Sequence, residues 1–143
     1  VKPSYTYSAT ILRWIDGDSC EVMFQLGFSI AVKQSIRLWG IDTSELRGGT
    51  PELKYLGMLA KQYVEEMAPV GTEVTIVTHK KGKFGRYLGE IYQGSDASLS
   101  LNEALKLQRL AVDYFGQSKS EVLAAHQQNA EFHAQQRDNE AKE

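Results

Sequence analysis

Along the first third of the chain, apolar and polar residues alternate one by one, the period of a half-buried strand. Residues 5–15 are rich in Tyr, Thr and Ile and stop at Asp16-Gly17-Asp18, a turn signal. Residues 20–24 make a short second strand, and Gly27 marks the next turn. From Ile30 to Leu38 the alternation is clearest, with Ile30, Val32, Ile36 and Leu38 on one face. Arg37 then points to the opposite face, away from the core, where its guanidinium is free for a ligand.

The period changes after residue 50. Thr50 can cap a helix with Pro51 at its first position. Leu53, Leu56, Ala60, Tyr63, Val64 and Met67 then recur at spacings of three and four, with Lys61, Glu65 and Glu66 on the wet side. Pro69 and Gly71 end this helix. Residues 73–78 and 87–92 read as two further strands, joined by a basic loop over 79–86.

Ser100-Leu-Asn-Glu103 and Ser118-Lys-Ser-Glu121 are capping boxes, each opening a helix. The first helix buries Leu101, Ala104 and Leu105; the second runs through Val122, Ala125 and Phe132. After about residue 133 the chain has no apolar stripe and reads as a polar helical or frayed tail. Five strands with one helix among them and two after them make an α+β protein. A five-stranded OB-fold β-barrel, partly open, with three α-helices fits the count. Residues 1–143 show no internal repeat or linker and read as a single domain.

Composition narrows the picture a little. The chain is 42% hydrophobic and 24% charged, which is globular rather than disordered. No apolar run approaches the ~18 residues of a membrane span, so no membrane partner is expected. No basic, then apolar, then small-residue leader pattern opens the sequence. Cys20 is the single cysteine, which rules out an intrachain disulfide or a cysteine-based metal cluster; it reads as a half-buried structural thiol.

Net charge changes the picture more. At −2 it argues against a broad electrostatic grip on duplex DNA. Yet the acidic excess lies at the end: residues 118–143 carry three bases and five acids, and the remainder is balanced at 13 and 13. Within that remainder Lys80, Lys81, Lys83 and Arg86 cluster, a basic patch on a neutral body.

Four short clusters carry candidate chemistry. Ile15-Asp-Gly-Asp-Ser19 is ambiguous alone, because turns favour Asp and Gly, and it lacks the further ligands of an EF-hand. In Arg37-Leu-Trp-Gly-Ile-Asp-Thr-Ser-Glu45, an outward Arg precedes three oxygen donors at a strand end, a group that packing does not require. Lys81-Gly-Lys-Phe-Gly-Arg86 offers glycines for close backbone approach and a guanidinium fork suited to phosphate. Asn102-Glu-Ala-Leu105 reads as helix-start chemistry and core. His79, His126 and His133 read as surface or partly packed residues.

In this order and at these separations the four clusters resemble the staphylococcal nuclease (thermonuclease) family. The resemblance covers most of the chain, from about Ala9 to the final helix. It implies the OB-fold barrel and Ca²⁺-dependent hydrolysis of phosphodiesters in DNA and RNA, single-stranded stretches preferred, leaving 3′-phosphate ends. Carried onto this sequence, the calcium ligands would be Asp18, Asp42 and the Thr43 carbonyl, with Asp16 supporting the Asp18 loop. Glu45 would orient or deprotonate the attacking water, while Arg37 and Arg86 would clamp the phosphate. Lys81, Lys83, Phe84, Tyr114 and Phe115 would contact the nucleic acid.

Departures from the family pattern carry expectations of their own. Ser44 stands where the family usually has Pro, which predicts a less rigid turn before Glu45. Phe84 stands where Tyr is common, keeping base stacking but removing a hydroxyl. With its neutral body, this chain should hold long DNA more weakly and with more salt sensitivity. The resemblance favours a secreted or periplasmic monomer. The competing class is a non-catalytic OB-fold nucleic-acid-binding module, and a phosphatase or protein-interaction barrel is a more distant one. The joint presence of Asp18, Asp42, Glu45, Arg37 and Arg86 speaks for the enzyme.

Overall fold

A computed structural model describes residues 5–82, 85–93 and 98–142. Three long antiparallel strands come first: β1 (Thr6–Asp16), β2 (Ser19–Gly27) and β3 (Ile30–Leu38). A three-residue strand, β4 (Ile41–Thr43), leads into α1 (Pro51–Met67). Then follow β5 (Glu73–Lys81), β6 (Tyr87–Tyr92), α2 (Leu101–Leu107), β7 (Ala111–Asp113) and α3 (Lys119–Ala141).

The five long strands close into a barrel in the order β1-β2-β3-β6-β5. Closure comes from a short parallel pairing of β3 with β6, which sets Arg37 opposite Leu88. The barrel is therefore closed, where the strand count alone left it partly open. β4 and β7 pair separately as a two-stranded sheet that sequence periodicity did not reveal. Three residues are too few to show a period of two.

Alternation places Ala9, Ile11, Val22, Phe24, Ile36, Leu38, Val74, Ile76 and Ile91 in the core, all buried. Cys20 is buried completely rather than half-buried, and burial pushes its thiol pKa far up. The shared face of β3 is shorter than its pattern implied: Ile36 and Leu38 are buried, but Ile30 is exposed. It borders the β2–β3 hairpin, whose Phe28 and Ser29 take positive φ.

Helix α1 starts where expected, with the Thr50 hydroxyl accepting from the Leu53 N–H at 3.3 Å. It lays Leu53, Leu56, Gly57, Ala60 and Val64 against the barrel, whereas Met67, at the last turn, is exposed. Trp14 Nε1 donates to the Ala68 carbonyl (2.9 Å) and ties β1 to the end of this helix.

Gly17 belongs to this packing. Its φ is not positive, but a Cβ there would lie 2.7 Å from the Ala60 Cβ, so glycine lets α1 approach the β1–β2 turn. Gly57 acts likewise from the helix side. A Cβ on it would sit 2.6 Å and 2.7 Å from the Glu45 and Ser44 carbonyl oxygens.

Asn102 does more than start α2. It is buried; its Nδ2 donates to the carbonyls of Trp39 (2.9 Å) and Gly89 (3.1 Å), and its Oδ1 accepts from the Ile91 N–H (3.2 Å). One amide side chain thus stitches α2 to the barrel.

Helix α3 departs furthest from expectation. It continues to Ala141, so the polar tail is helical. Its buried residues are His126, Asn129 and Ala130, while Val122, Ala125 and Phe132 are only half-buried. Among the described residues, no helix is long and apolar enough to cross a membrane.

Candidate active site

The β1–β2 turn, the end of β3, β4 and the start of α1 meet at one side of the barrel. Asp18 sits in the turn and is buried. Its Oδ1 accepts from the Ser19 hydroxyl (3.1 Å) and its Oδ2 from the Thr43 N–H (3.1 Å). Asp42, on β4, places Oδ1 2.8 Å from Arg37 Nη2, and the same nitrogen lies 3.5 Å from Asp18 Oδ2. Two carboxylates therefore converge on one guanidinium.

Arg37 leaves the core face as its position between Ile36 and Leu38 requires, but it is not free. Its side chain is 18% exposed, held by both aspartates and stacked 5.1 Å above the Tyr114 ring. Strand alternation predicts its direction but not its partners.

Arg86 reaches the same place from the far side of the β5–β6 hairpin. Its Nη1 donates to the Ser19 hydroxyl (3.1 Å), which in turn donates to Asp18. Among the described residues its buried Nε finds no acceptor. A buried charged donor without a partner is costly, and an anion would satisfy it. Ser19, which closes the first of the four clusters, links these groups, a role that its place in the sequence pattern does not disclose.

Asp16 accepts from the Asp18 N–H (3.0 Å) and so shapes the turn. Its pKa is pushed up to about 7, mainly by burial and then by the adjoining Asp18 carboxylate.

Glu45 follows two residues after Thr43 and is exposed. It lines a cleft of about 470 Å³ with Arg37, Asp42, Thr43, Tyr114 and His126. Among the described residues its carboxylate makes no hydrogen bond or ion pair. Gly48 (φ 83°) and Gly49 (φ 70°) form part of the wall, in a loop conformation that favours glycine. The turn before Glu45 is not loose: Ser44 is buried and its hydroxyl donates to the Leu53 carbonyl at 2.8 Å. That bond, with Gly57 packed beneath, restrains the turn.

The remaining expected contacts scatter. Tyr114 borders the cleft; Phe115, 78% exposed, lines a neighbouring hollow beside Trp39. Lys81 stands over the Tyr87 ring (5.6 Å) at the mouth of the barrel, part of a cavity of about 550 Å³ with Tyr7 and Phe24. That larger cavity contains none of the carboxylates or arginines of the cleft. Lys83 and Phe84 lie outside the described residues.

The histidines divide. His79 is half-buried and stacks flat on Trp39, with centroids 4.3 Å apart, and His133 donates to the Gln108 and Arg109 carbonyls at 3.1 and 3.0 Å. His126 is different. It is buried, and its Nε2 lies 2.7 Å from the second oxygen of Asp42. The sequence holds no sign of this contact, since a histidine on a weakly amphipathic helix carries no mark of a partner 84 positions away.

No curated protein matches the chain. A family described as staphylococcal nuclease homologue matches residues 35–140, a span that holds Arg37, Asp42, Thr43, Glu45, Arg86 and His126. Asp16 and Asp18 precede it and enter the site through the bonds of Asp18 to Thr43 and Arg37. With most of its length matched and a closed five-stranded barrel carrying three helices, the chain belongs to the staphylococcal nuclease homologue family.

Proposed function

We propose that the protein is a Ca²⁺-dependent nuclease that hydrolyses phosphodiesters of DNA and RNA, single strands preferred, and leaves 3′-phosphate ends. Family membership supports the coarser part, a nuclease or nucleic-acid-binding role. The observation that carries the finer part is the meeting of Asp18 and Asp42 at Arg37, in reach of a cleft that also holds an unpaired Glu45. A surface that only bound a polyanion would gain nothing from these carboxylates.

The donor chemistry fits calcium. Asp18 Oδ2 and Asp42 Oδ1 already share one positive nitrogen, so their oxygens converge where a cation would be attracted. Hard oxygen ligands, including the Thr43 main-chain carbonyl, suit Ca²⁺ better than a metal that prefers nitrogen or sulfur. When bound, the cation supplies charge neutralisation at the phosphate and a hard centre for water.

The chain's own residues do the rest. Glu45 accepts a proton from water as the water oxygen bonds to phosphorus. The bond to the 5′ oxygen breaks, and that oxygen takes a proton from solvent, giving a 3′-phosphate and a 5′-hydroxyl. Arg37 and the unpaired Nε of Arg86 donate to the phosphoryl oxygens, whose negative charge grows in the transition state. Asp16 and Ser19 hold the Asp18 turn in place.

Digestion of denatured DNA with and without Ca²⁺, with a chelator and with Glu45→Gln, tests this. Cleavage should need calcium, yield 5′-hydroxyl ends and fall at least ~100-fold in the variant. Calcium-independent cleavage, or full activity in Glu45→Gln, would overturn the assigned roles. Binding without cleavage would favour the non-catalytic module.

A further inference from the structure

The Asp42 carboxylate is gripped from two directions. Arg37 Nη2 takes Oδ1 at 2.8 Å, and His126 Nε2 takes Oδ2 at 2.7 Å. The arginine comes from the barrel and the histidine from the last helix. With both oxygens engaged, rotation of the carboxylate about its Cβ–Cγ bond is blocked, because turning it would break both contacts.

His126 is poorly explained as packing. Its side chain is 6% exposed, and among the described residues its Nδ1 finds no partner. An apolar residue of similar size would fill the position without burying an unpaired nitrogen. Facing a carboxylate oxygen at 2.7 Å, Nε2 must carry the hydrogen, so the ring acts as a donor to Asp42.

The helix is fixed well enough to make that contact directional. One turn on, Asn129 accepts from Arg109 Nε (3.3 Å) and donates to the Ala111 carbonyl (3.5 Å). Two turns on, His133 bonds to the Gln108 and Arg109 carbonyls. Arg109 also lies 4.4 Å above the Phe132 ring. Positions 126, 129 and 133 share one face of the helix, and all three are bonded to the chain they rest on. Asn129 and His133 hold the helix; of these three residues only His126 lines the cleft.

We propose that His126 is a positioning residue for calcium: it fixes the plane of Asp42 so that this carboxylate is preset as a ligand. The proposal rests on the calcium site proposed above. Groups that orient a metal ligand from behind change metal affinity by about 10–100-fold when removed.

The test is calcium affinity of the full chain, measured by titration calorimetry without nucleic acid, alongside thermal unfolding in chelator. His126→Ala should weaken calcium binding by ~10–100-fold. His126→Gln, whose amide can donate from nearly the same place as Nε2, should recover most of that loss. Asn129→Ala should lower the unfolding temperature while leaving calcium affinity as in the wild type. The proposal is overturned if His126→Ala binds calcium like the wild type, or if His126→Gln binds no better than His126→Ala. It is also overturned if Asn129→Ala weakens calcium as much, since docking of α3 would then be the cause. A wild-type protein that binds no calcium would sink the metal reading and this proposal together; the other failures leave the metal reading standing.

Discussion

Helices α1 and α3 pack on one another but are held to the barrel side by different means. α1 buries Leu53, Leu56, Ala60 and Val64, an apolar stripe with almost no directional bonds in it. α3 buries His126, Asn129 and Ala130, and the first two hold specific polar atoms. Apolar attachment depends on area and tolerates small shifts. Polar attachment depends on angle and distance, so it places a helix more sharply for less burial. The helix next to Asp42 is the one attached by angle.

Substitutions can break that contrast or sharpen it. The largest effect is expected from Leu56→Ala, which empties a fully buried position of α1 and should cost about 2–5 kcal/mol in urea unfolding. A loss as small as that of a surface change would mean that the stripe does not hold the helix. Next comes Gly57→Ala. Alanine is the better helix former by roughly 1 kcal/mol, but its methyl would meet the Ser44 and Glu45 carbonyls. Overpacking of about 1–3 kcal/mol should win, and displacement of Glu45 should lower the nuclease activity proposed above in the same variant.

The two N-caps provide a control. Thr50 and Ser118 make the same bond to the third residue of their helices, both at 3.3 Å. Replacing either by Ala should cost about 1 kcal/mol, equally in both helices. Unequal costs measured by chemical unfolding would show that the helices differ in more than their buried faces. The smallest effect belongs to Arg137→Ala, which removes a half-exposed guanidinium lying 4.8 Å over Tyr55, a contact between α3 and α1. About 0.5 kcal/mol is expected, near the limit of calorimetric detection.

The same contrast explains what the sequence disclosed. Periodicity is written into single residues, so the five barrel strands and α1 were legible, and the boxes at Ser100 and Ser118 marked the starts of α2 and α3. Arg37, Asp42, Thr43, Glu45 and Arg86 could be picked out because cations and oxygen donors cluster where packing does not need them. Pairings were not legible. Ser44 to Leu53, Asn102 to Gly89 and His126 to Asp42 each join residues that look ordinary apart. The short β4–β7 pairing was invisible for the same reason, since three residues show no pattern until their partner is known. Gly17 lies in the turn that its sequence signals, but its second role, the close approach of Ala60, depends on a residue distant in the chain and was not legible.

The double grip on Asp42 bears on synthesis as well as on geometry. The groups around this one carboxylate come from the first hairpin, from β3 and from the last helix, so chain order spreads them over nearly the whole polypeptide. A growing chain emerges from its N-terminus, and contacts of such long separation close late. Until α3 has emerged and docked, Asp42 is held on one oxygen only. During that interval the calcium site proposed above would lack the group that presets one of its ligands, so its affinity for the cation would rise only once the last helix is in place.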